Sequence, residues 1–337
     1  MEEHPMKKLI NDIDNIVRET LEGVVAAHPD KAEKLEGHHV LRRAGGPLPG
    51  KVAIISGGGA GHEPAFWGGI GDGLIDGAVQ GEVFTSPTPD EILACLKAAD
   101  GGAGVIQLYN NYTGDVLNFD MAAEAAEAEG LRVGTLLVND DVSVEDGPTS
   151  AGRRGIAGNF LVQKVAGAAA AEGRDFDAVM AVGNKAIGEL RSMGMALAPC
   201  TVPAAGEPTF ELGDDEMEIG MGLHGEPGVS RRPLESADAV ATELTETAAK
   251  DLGLASGDRV VVLVNSLGAT PPMELYILTR KVHELMAAHG VSVHRTYVME
   301  AATSMEMAGC SVSLMRVDDE LAALIDAPAD AIAFCQA

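Results

Sequence analysis

Basic residues are scarce in this chain: 24 Lys and Arg stand against 51 Asp and Glu, a net charge of -27. A surface of that sign repels nucleic acid and anionic membranes, so neither is expected as a partner. It suits a protein kept soluble in concentrated salt, where added Asp and Glu help most, and a halophilic source is expected. Aromatics are sparse at 4%, with a single Trp, although 46% of the residues are hydrophobic. Cores of Ala, Val, Leu, Ile and Met follow. Cysteine occurs only at Cys95, Cys200, Cys310 and Cys335, with no C-x-x-C pair. That argues against a disulfide or zinc framework and for reduced core thiols in a cytoplasmic protein. No apolar run reaches membrane-spanning length, and no signal-peptide core opens the chain. Met1–Pro5 reads as a small extension before MKKLIND.

Two phosphate-binding signatures are missing as well. No Gly-Lys-Ser or Gly-Lys-Thr occurs, which removes the P-loop, and a dinucleotide fingerprint counted from Gly57 would need Gly where His62 stands. What is present is Lys51–Pro64, KVAIISGGGAGHEP. Val52–Ile55 suits a strand buried on both faces, and Ser56–Gly59 is expected to end it in a turn. Glycines there would bring a ligand close to backbone N–H groups. His62 then falls just past the turn, where a helix is expected to begin. Open α/β sheets place ligands at such carboxyl ends of strands.

The 337 residues are enough for two domains. Apolar spacing predicts a helix over Leu9–Ala27 and another over Glu91–Ala99, capped by Thr88 or Asp90. Phe66–Gly81 reads as a Gly-rich loop lining a cleft. Strands at Gly104–Leu108 and Arg132–Val138 alternate with helices at Asn118–Gly130 and Phe160–Glu172, which implies a mostly parallel sheet flanked by helices. After about Gly194, Pro and Gly recur every few residues and antiparallel pairing is expected. Helices are predicted over Asp238–Leu252 and Glu274–Ala288. Strands are predicted over Arg259–Val264, Val293–Val298 and, last, Val312–Val317. The expectation is an N-terminal α/β domain over 1–194 and a C-terminal α+β domain over 195–337, packed against each other.

Three polar residues lie in glycine-flanked segments: His62 in GAGHEP, Asp115 in NYTGDV and His224 in GLHGEPG. Two His and an Asp could hold zinc or non-haem iron. They could equally be a nucleophile with acid–base partners. The plain alternative for each is a local turn hydrogen bond.

Seven segments, SGGGAGHEP, GEVFTSPTPDEI, NNYTGDVLNF, SAGRRGIAGN, PCTVPAAGEP, MEIGMGLHGEPG and LVNSLGATPPMELY, run in the order found in dihydroxyacetone kinases. Over essentially its whole length the chain resembles the substrate-binding K subunit of the multi-subunit kind. The resemblance implies that His224 adds to the ketone carbon of dihydroxyacetone as a covalent hemiaminal, assisted by His62. It implies that Asp115 is the base for the terminal hydroxyl, and that Gly58, Gly59, Asn110, Asp115 and His224 bind substrate. It implies no metal or cofactor on this chain, with ATP or ADP and Mg on a separate L-type subunit. A homodimer and, as further partner, a phosphotransferase-system M subunit are also implied. One departure stands out: Asn110 occupies the place where the family usually has Lys. That allows a related triose or tetrose ketose as substrate, or a non-catalytic ligand-sensing coactivator.

Overall fold

The structure, a computed structural model, describes residues 7–144 and 152–337. The extension expected at Met1–Pro5, and Ser150 and Ala151 of the SAGRRGIAGN segment, lie outside the described residues.

In chain order the first half forms α1 (Ile16–Ala27), β1 (Ala32–Lys34), β2 (Val40–Arg43), β3 (Ala53–Ala60), β4 (Gly71–Asp72), β5 (Gly77–Val83), α2 (Pro89–Ala99), β6 (Val105–Asn110), α3 (Thr113–Ala128), β7 (Val133–Val138), α4 (Asn159–Ala171) and α5 (Phe176–Gly188). Six strands make one sheet in the order β1-β2-β5-β3-β6-β7. β5, β3, β6 and β7 run parallel, and β2 and β1 extend the sheet with antiparallel pairs. The α/β expectation for this half holds.

The expected turn at Ser56–Gly59 does not exist; those residues lie inside β3, which is buried along all eight of its positions. Their glycines make room rather than turn the chain. A Cβ on Gly57 would lie 2.4 Å from Val79 Cγ1, one on Gly58 2.5 Å from the Phe66 ring, and one on Gly59 2.6 Å from the Thr85 nitrogen. The left-handed residue comes later, at Gly61 with φ 97°. No helix begins at His62; a single 3-10 turn covers Trp67–Gly69. The segment read as a loop over 66–81 contains that turn, β4 and the start of β5. Glycine within strands masks the period-2 pattern that would reveal them.

Two helices differ most in extent. α1 begins at Ile16 after a 3-10 turn rather than at Leu9, and Leu9 is fully exposed. α3 begins at Thr113 rather than Asn118, which moves Asp115 from a loop into the first helical turn. α2 begins at Pro89, two residues before the predicted Glu91, and of the two expected caps it uses Thr88, whose hydroxyl accepts from the Glu91 N–H.

The second half forms β8 (Leu190–Ala198), β9 (Glu216–Ile219), β10 (Ser230–Pro233), α6 (Ala237–Leu252), β11 (Arg259–Ser266), α7 (Pro272–Ala288), β12 (Ser292–Met299), β13 (Ala308–Arg316), α8 (Asp319–Asp326), β14 (Ala329–Ala331) and β15 (Cys335–Gln336). Its sheet has the order β10-β9-β8-β13-β11-β12. Only β11 and β12 pair in parallel. The boundary expected between 194 and 195 falls inside β8, because the strand opens at Leu190 directly after α5. β13 is not the last strand either: β14 pairs with both β15 and β4, returning the C-terminus to the first half.

The core explains how the halves are held. α4 lies between the two sheets and is buried from Asn159 through Ala170, which is why its sequence is mostly apolar and Ala-rich, its buried Asn159, Gln163 and Lys164 each hydrogen-bonded. β11 shows the two-sided demand: Val260, Val262 and Val264 pack with α6 and α7, whereas Val261 and Leu263 join the cluster around α4. Lys164, fully buried on α4, donates to the Leu324 carbonyl of α8. All four cysteines are free; three are buried, and Cys335 is exposed rather than in the core.

Candidate active site

β3 pairs with β6 only over Ala53–Ser56, while its pairing with β5 continues to Ala60. The chain leaves β3 toward β5 on one side and then crosses by α2 to β6 on the other. The carboxyl end of β3 is therefore the place where the strand order reverses, the position at which open α/β sheets form the crevice that takes ligands. His62 follows β3, and Asp115 follows β6. Gly58 and Gly59 lie buried near this end of β3, against the Phe66 ring and the Phe84–Thr85 backbone.

His224 arrives from the other half. It sits in the loop between β9 and β10, an antiparallel hairpin at the edge of the second sheet. The Arg154 guanidinium and the Ser143 hydroxyl both donate to the Gly220 carbonyl and tie the hairpin base to the first half. The result is a direct meeting: Nε2 of His62 and Nε2 of His224 are 3.0 Å apart. These residues are 162 positions apart in sequence.

The partners of the other ring nitrogens assign the protons. Nδ1 of His62 is 2.7 Å from the Thr303 carbonyl, which only accepts, so Nδ1 carries hydrogen. Nδ1 of His224 is 2.9 Å from Glu226 Oε1, and the same carboxylate accepts from the His224 backbone N–H at 2.9 Å. Burial pushes the Glu226 carboxyl up, but the His224 hydrogen bond and charge outweigh it and hold it at about 2. Glu226 is thus ionised and His224 Nδ1 also carries hydrogen. A hydrogen bond between the two Nε2 atoms then needs one more proton. Burial, reinforced by the charge of His224, lowers His62 to about 3. Of the two imidazoles, His62 is thus the less able to carry that shared proton.

Asp115 lies in the first turn of α3, where the helix dipole ordinarily favours a carboxylate by about 0.3–1 kcal/mol. Burial wins here. It raises the Asp115 carboxyl to about 6, against smaller lowering by the Ser86 hydroxyl and the His224 charge. Its Oδ1 is buried without a hydrogen-bond partner. His62 is 3% exposed, whereas the His224 side chain keeps 25%, so the pair is reached from the His224 side.

Asn110 points elsewhere. Its Oδ1 accepts from Asn159 Nδ2, Asn159 Oδ1 accepts from Gln163 Nε2, and Gln163 also donates to the Ala65 carbonyl. The amide at 110 therefore belongs to a buried chain running along α4 to the His62 turn. Among the described residues no group of three or more His, Cys, Asp or Glu is arranged to hold a metal ion.

The profile of the Dak1 domain matches residues 22–333. The chain belongs to the Dak1 family. A Dak1 relative from Listeria innocua, named PTS-dependent dihydroxyacetone kinase 1, dihydroxyacetone-binding subunit, is 47% identical over 330 residues, covering 98% of this chain and 100% of that one. A solved structure of a dihydroxyacetone kinase operon co-activator superposes with a TM-score of 0.89 at 32% identity, covering 97% and 99% of the two chains. The dihydroxyacetone kinase of C. freundii in complex with AMP-PNP and Mg2+ superposes with a TM-score of 0.89 at 30% identity. The Dak1 chain described here is covered to 98% by that match and spans 61% of the kinase.

Sequence reasoning named His62, Asp115 and His224; the structure brings the two imidazoles into contact and places Asp115 within reach of the His224 charge. It missed Thr303 and Ser304, a loop that holds both imidazoles: Thr303 accepts from His62, and the Ser304 hydroxyl donates to the Leu223 carbonyl. Nothing in their local sequence signals this. Glu226 had a signal, lying two positions from His224 in the same glycine-bounded motif.

Proposed function

We propose that this chain is the dihydroxyacetone-binding subunit of a multi-subunit kinase. The observation that carries the reading is the 3.0 Å contact between two imidazoles from different halves, at a sheet switch point with a buried carboxyl beside it. His224 gives up its Nε2 proton through His62, and the freed lone pair adds to the ketone carbon. The carbonyl π electrons move to oxygen, which takes that proton and becomes the hemiaminal hydroxyl. Charge balances: an imidazolium and a ketone become an N-alkyl imidazolium, still paired through Nδ1–H to Glu226. Glycerol, lacking a carbonyl, offers nothing to add to. Asp115, deprotonated, accepts the proton of the terminal hydroxyl as that oxygen attacks a phosphoryl group, giving dihydroxyacetone phosphate.

The nucleotide with its Mg is assigned to an L-type subunit, which supplies the phosphoryl group; a phosphotransferase-system M subunit is the candidate donor to that nucleotide. A homodimer in the cytoplasm is part of the same reading. The test is a crystal structure with dihydroxyacetone. Continuous density from His224 Nε2 to the substrate C2 is expected, and a ligand left trigonal and unattached would overturn the proposal.

A second reading is favoured by Asn110, which puts no cation beside Asp115, and by the fold match to a co-activator. In it the chain binds a triose without passing it on. A coupled assay with an L-type subunit decides, run over dihydroxyacetone and four-carbon ketoses. Donor consumption supports the kinase, and adduct formation without it supports the sensor.

A further inference from the structure

Phe84 has an uncommon backbone. It is one of two non-glycine residues with positive φ among those described, at 56°, and a bulky side chain there is strained. It follows β5 directly, in the Val83–Thr85 corner, where its N–H donates to the Ala60 carbonyl at 2.9 Å. Its ring is stacked on the His62 imidazole, with centroids 4.9 Å apart and planes at 12°. The same ring stands edge-on to His224 at 5.1 Å and 75°. One side chain therefore touches both imidazoles at once.

The glycines around the site are arranged to admit this ring. A Cβ on Gly61 would lie 2.8 Å from Phe84 Cε1, and one on Gly59 2.9 Å from Phe84 Cα. The other positive-φ residue, Met305 at 53°, converges on the same point: its N–H donates to the Gly61 carbonyl at 2.7 Å, and its Cγ would be 3.2 Å from a Gly61 Cβ. Gly61 thus leaves room for the half-buried phenyl ring and Gly59 for the Phe84 backbone, with the strained Met305 closing on Gly61. On the opposite side Tyr112 closes on His224 edge-on, 4.7 Å away.

We infer that Phe84 is a positioning residue that sets the angle between the two imidazoles. Its flat stack fixes the plane of His62, and its edge contact fixes the tilt of His224, so that the two Nε2 atoms face each other across the shared proton. Neither Nδ1 bond does this alone, because each ring can rotate about its own anchor. The inference rests on the functional reading above and deepens it. Strain at position 84 persists because the aromatic contacts offset it.

The test compares Phe84→Asn, which removes the ring but suits a left-handed backbone, with Phe84→Leu and the ring-retaining Phe84→Tyr, all in the full chain. Thermal melting confirms that each is folded, and 15N-resolved imidazole spectra of the free protein report tautomers and proton sharing. In the wild type, His62 is expected as neutral Nδ1–H over the neutral pH range, with an Nε2 signal coupled to that of His224. Phe84→Asn should lose that coupling and lower the fraction of dihydroxyacetone held as adduct by about tenfold or more, with Phe84→Tyr within about threefold of wild type. Folded Phe84→Asn or Phe84→Leu with wild-type imidazole spectra and adduct overturns the inference. If both unfold while Phe84→Tyr folds but has lost the coupling, it is likewise overturned. If both unfold and Phe84→Tyr keeps the coupling, it is supported. A wild-type chain that shows the coupled imidazoles but forms no adduct overturns the functional reading instead, and leaves the positioning result standing.

Discussion

At the scale of single residues the site is a set of proton positions fixed by neighbours that can only accept. Thr303 and Glu226 each fix one Nδ1 proton, and burial makes His62 the poorer holder of the proton shared between the two Nε2 atoms. In the proposed reaction Asp115 is then the group whose titration limits turnover. Its carboxyl is raised to about 6, so it is protonated below that pH and cannot accept the hydroxyl proton. Turnover per unit of free subunit is therefore expected to rise with pH through about 6, measured as kcat/KM with a saturating L-type partner. Asp115→Asn should remove this limb and cost about 10²–10⁴ in kcat while leaving adduct formation within a few-fold. A limb that survives the substitution would assign it to another group.

At the scale of elements, the decisive one is β3. Its glycines lie in a strand, and each makes space for a named neighbour, so an added methyl should be felt. Gly59→Ala meets backbone at Phe84 and Thr85 and cannot be relieved by a side-chain rotation. A loss of about 1–3 kcal/mol is expected in denaturant unfolding, with a larger fall in adduct formation than Gly188→Ala, where an added Cβ meets nothing and the backbone is not left-handed. Equal effects would mean the glycine run has no special fit. The same element shows where sequence reading stops. Ala53–Ile55 was legible as a buried strand from its apolar run, and α2 from Thr88 and the acidic first turn. Gly57–Gly59 was not legible, because glycine signals a turn locally and close packing only through partners far along the chain. Asp115 was found by its motif, yet its place in a helix was hidden by Gly114. The contact of His62 with His224 has no local signal: their glycine-flanked segments only suggested a common site, and the family resemblance gave the pairing.

At the scale of the molecule, two sheets share one core around α4, and the crevice lies where a hairpin of the second reaches the switch point of the first. The net charge of -27 is spread over this body. Exposed ion pairs contribute about 0–1 kcal/mol each, so screening them costs little, whereas screening the uncompensated acid charge relieves repulsion. The melting temperature is accordingly expected to rise as KCl is raised from low to molar concentration; a fall would show that the ion pairs dominate. The central claim is that the imidazole at 224 bonds to a ketone in this crevice. It is tested most directly by adding [2-13C]dihydroxyacetone to protein carrying 15N-histidine and recording the carbon spectrum. The account predicts a tetrahedral C2 signal split by one-bond coupling to a single histidine nitrogen and absent in His224→Ala. Only uncoupled signals of free dihydroxyacetone at saturating protein would contradict it.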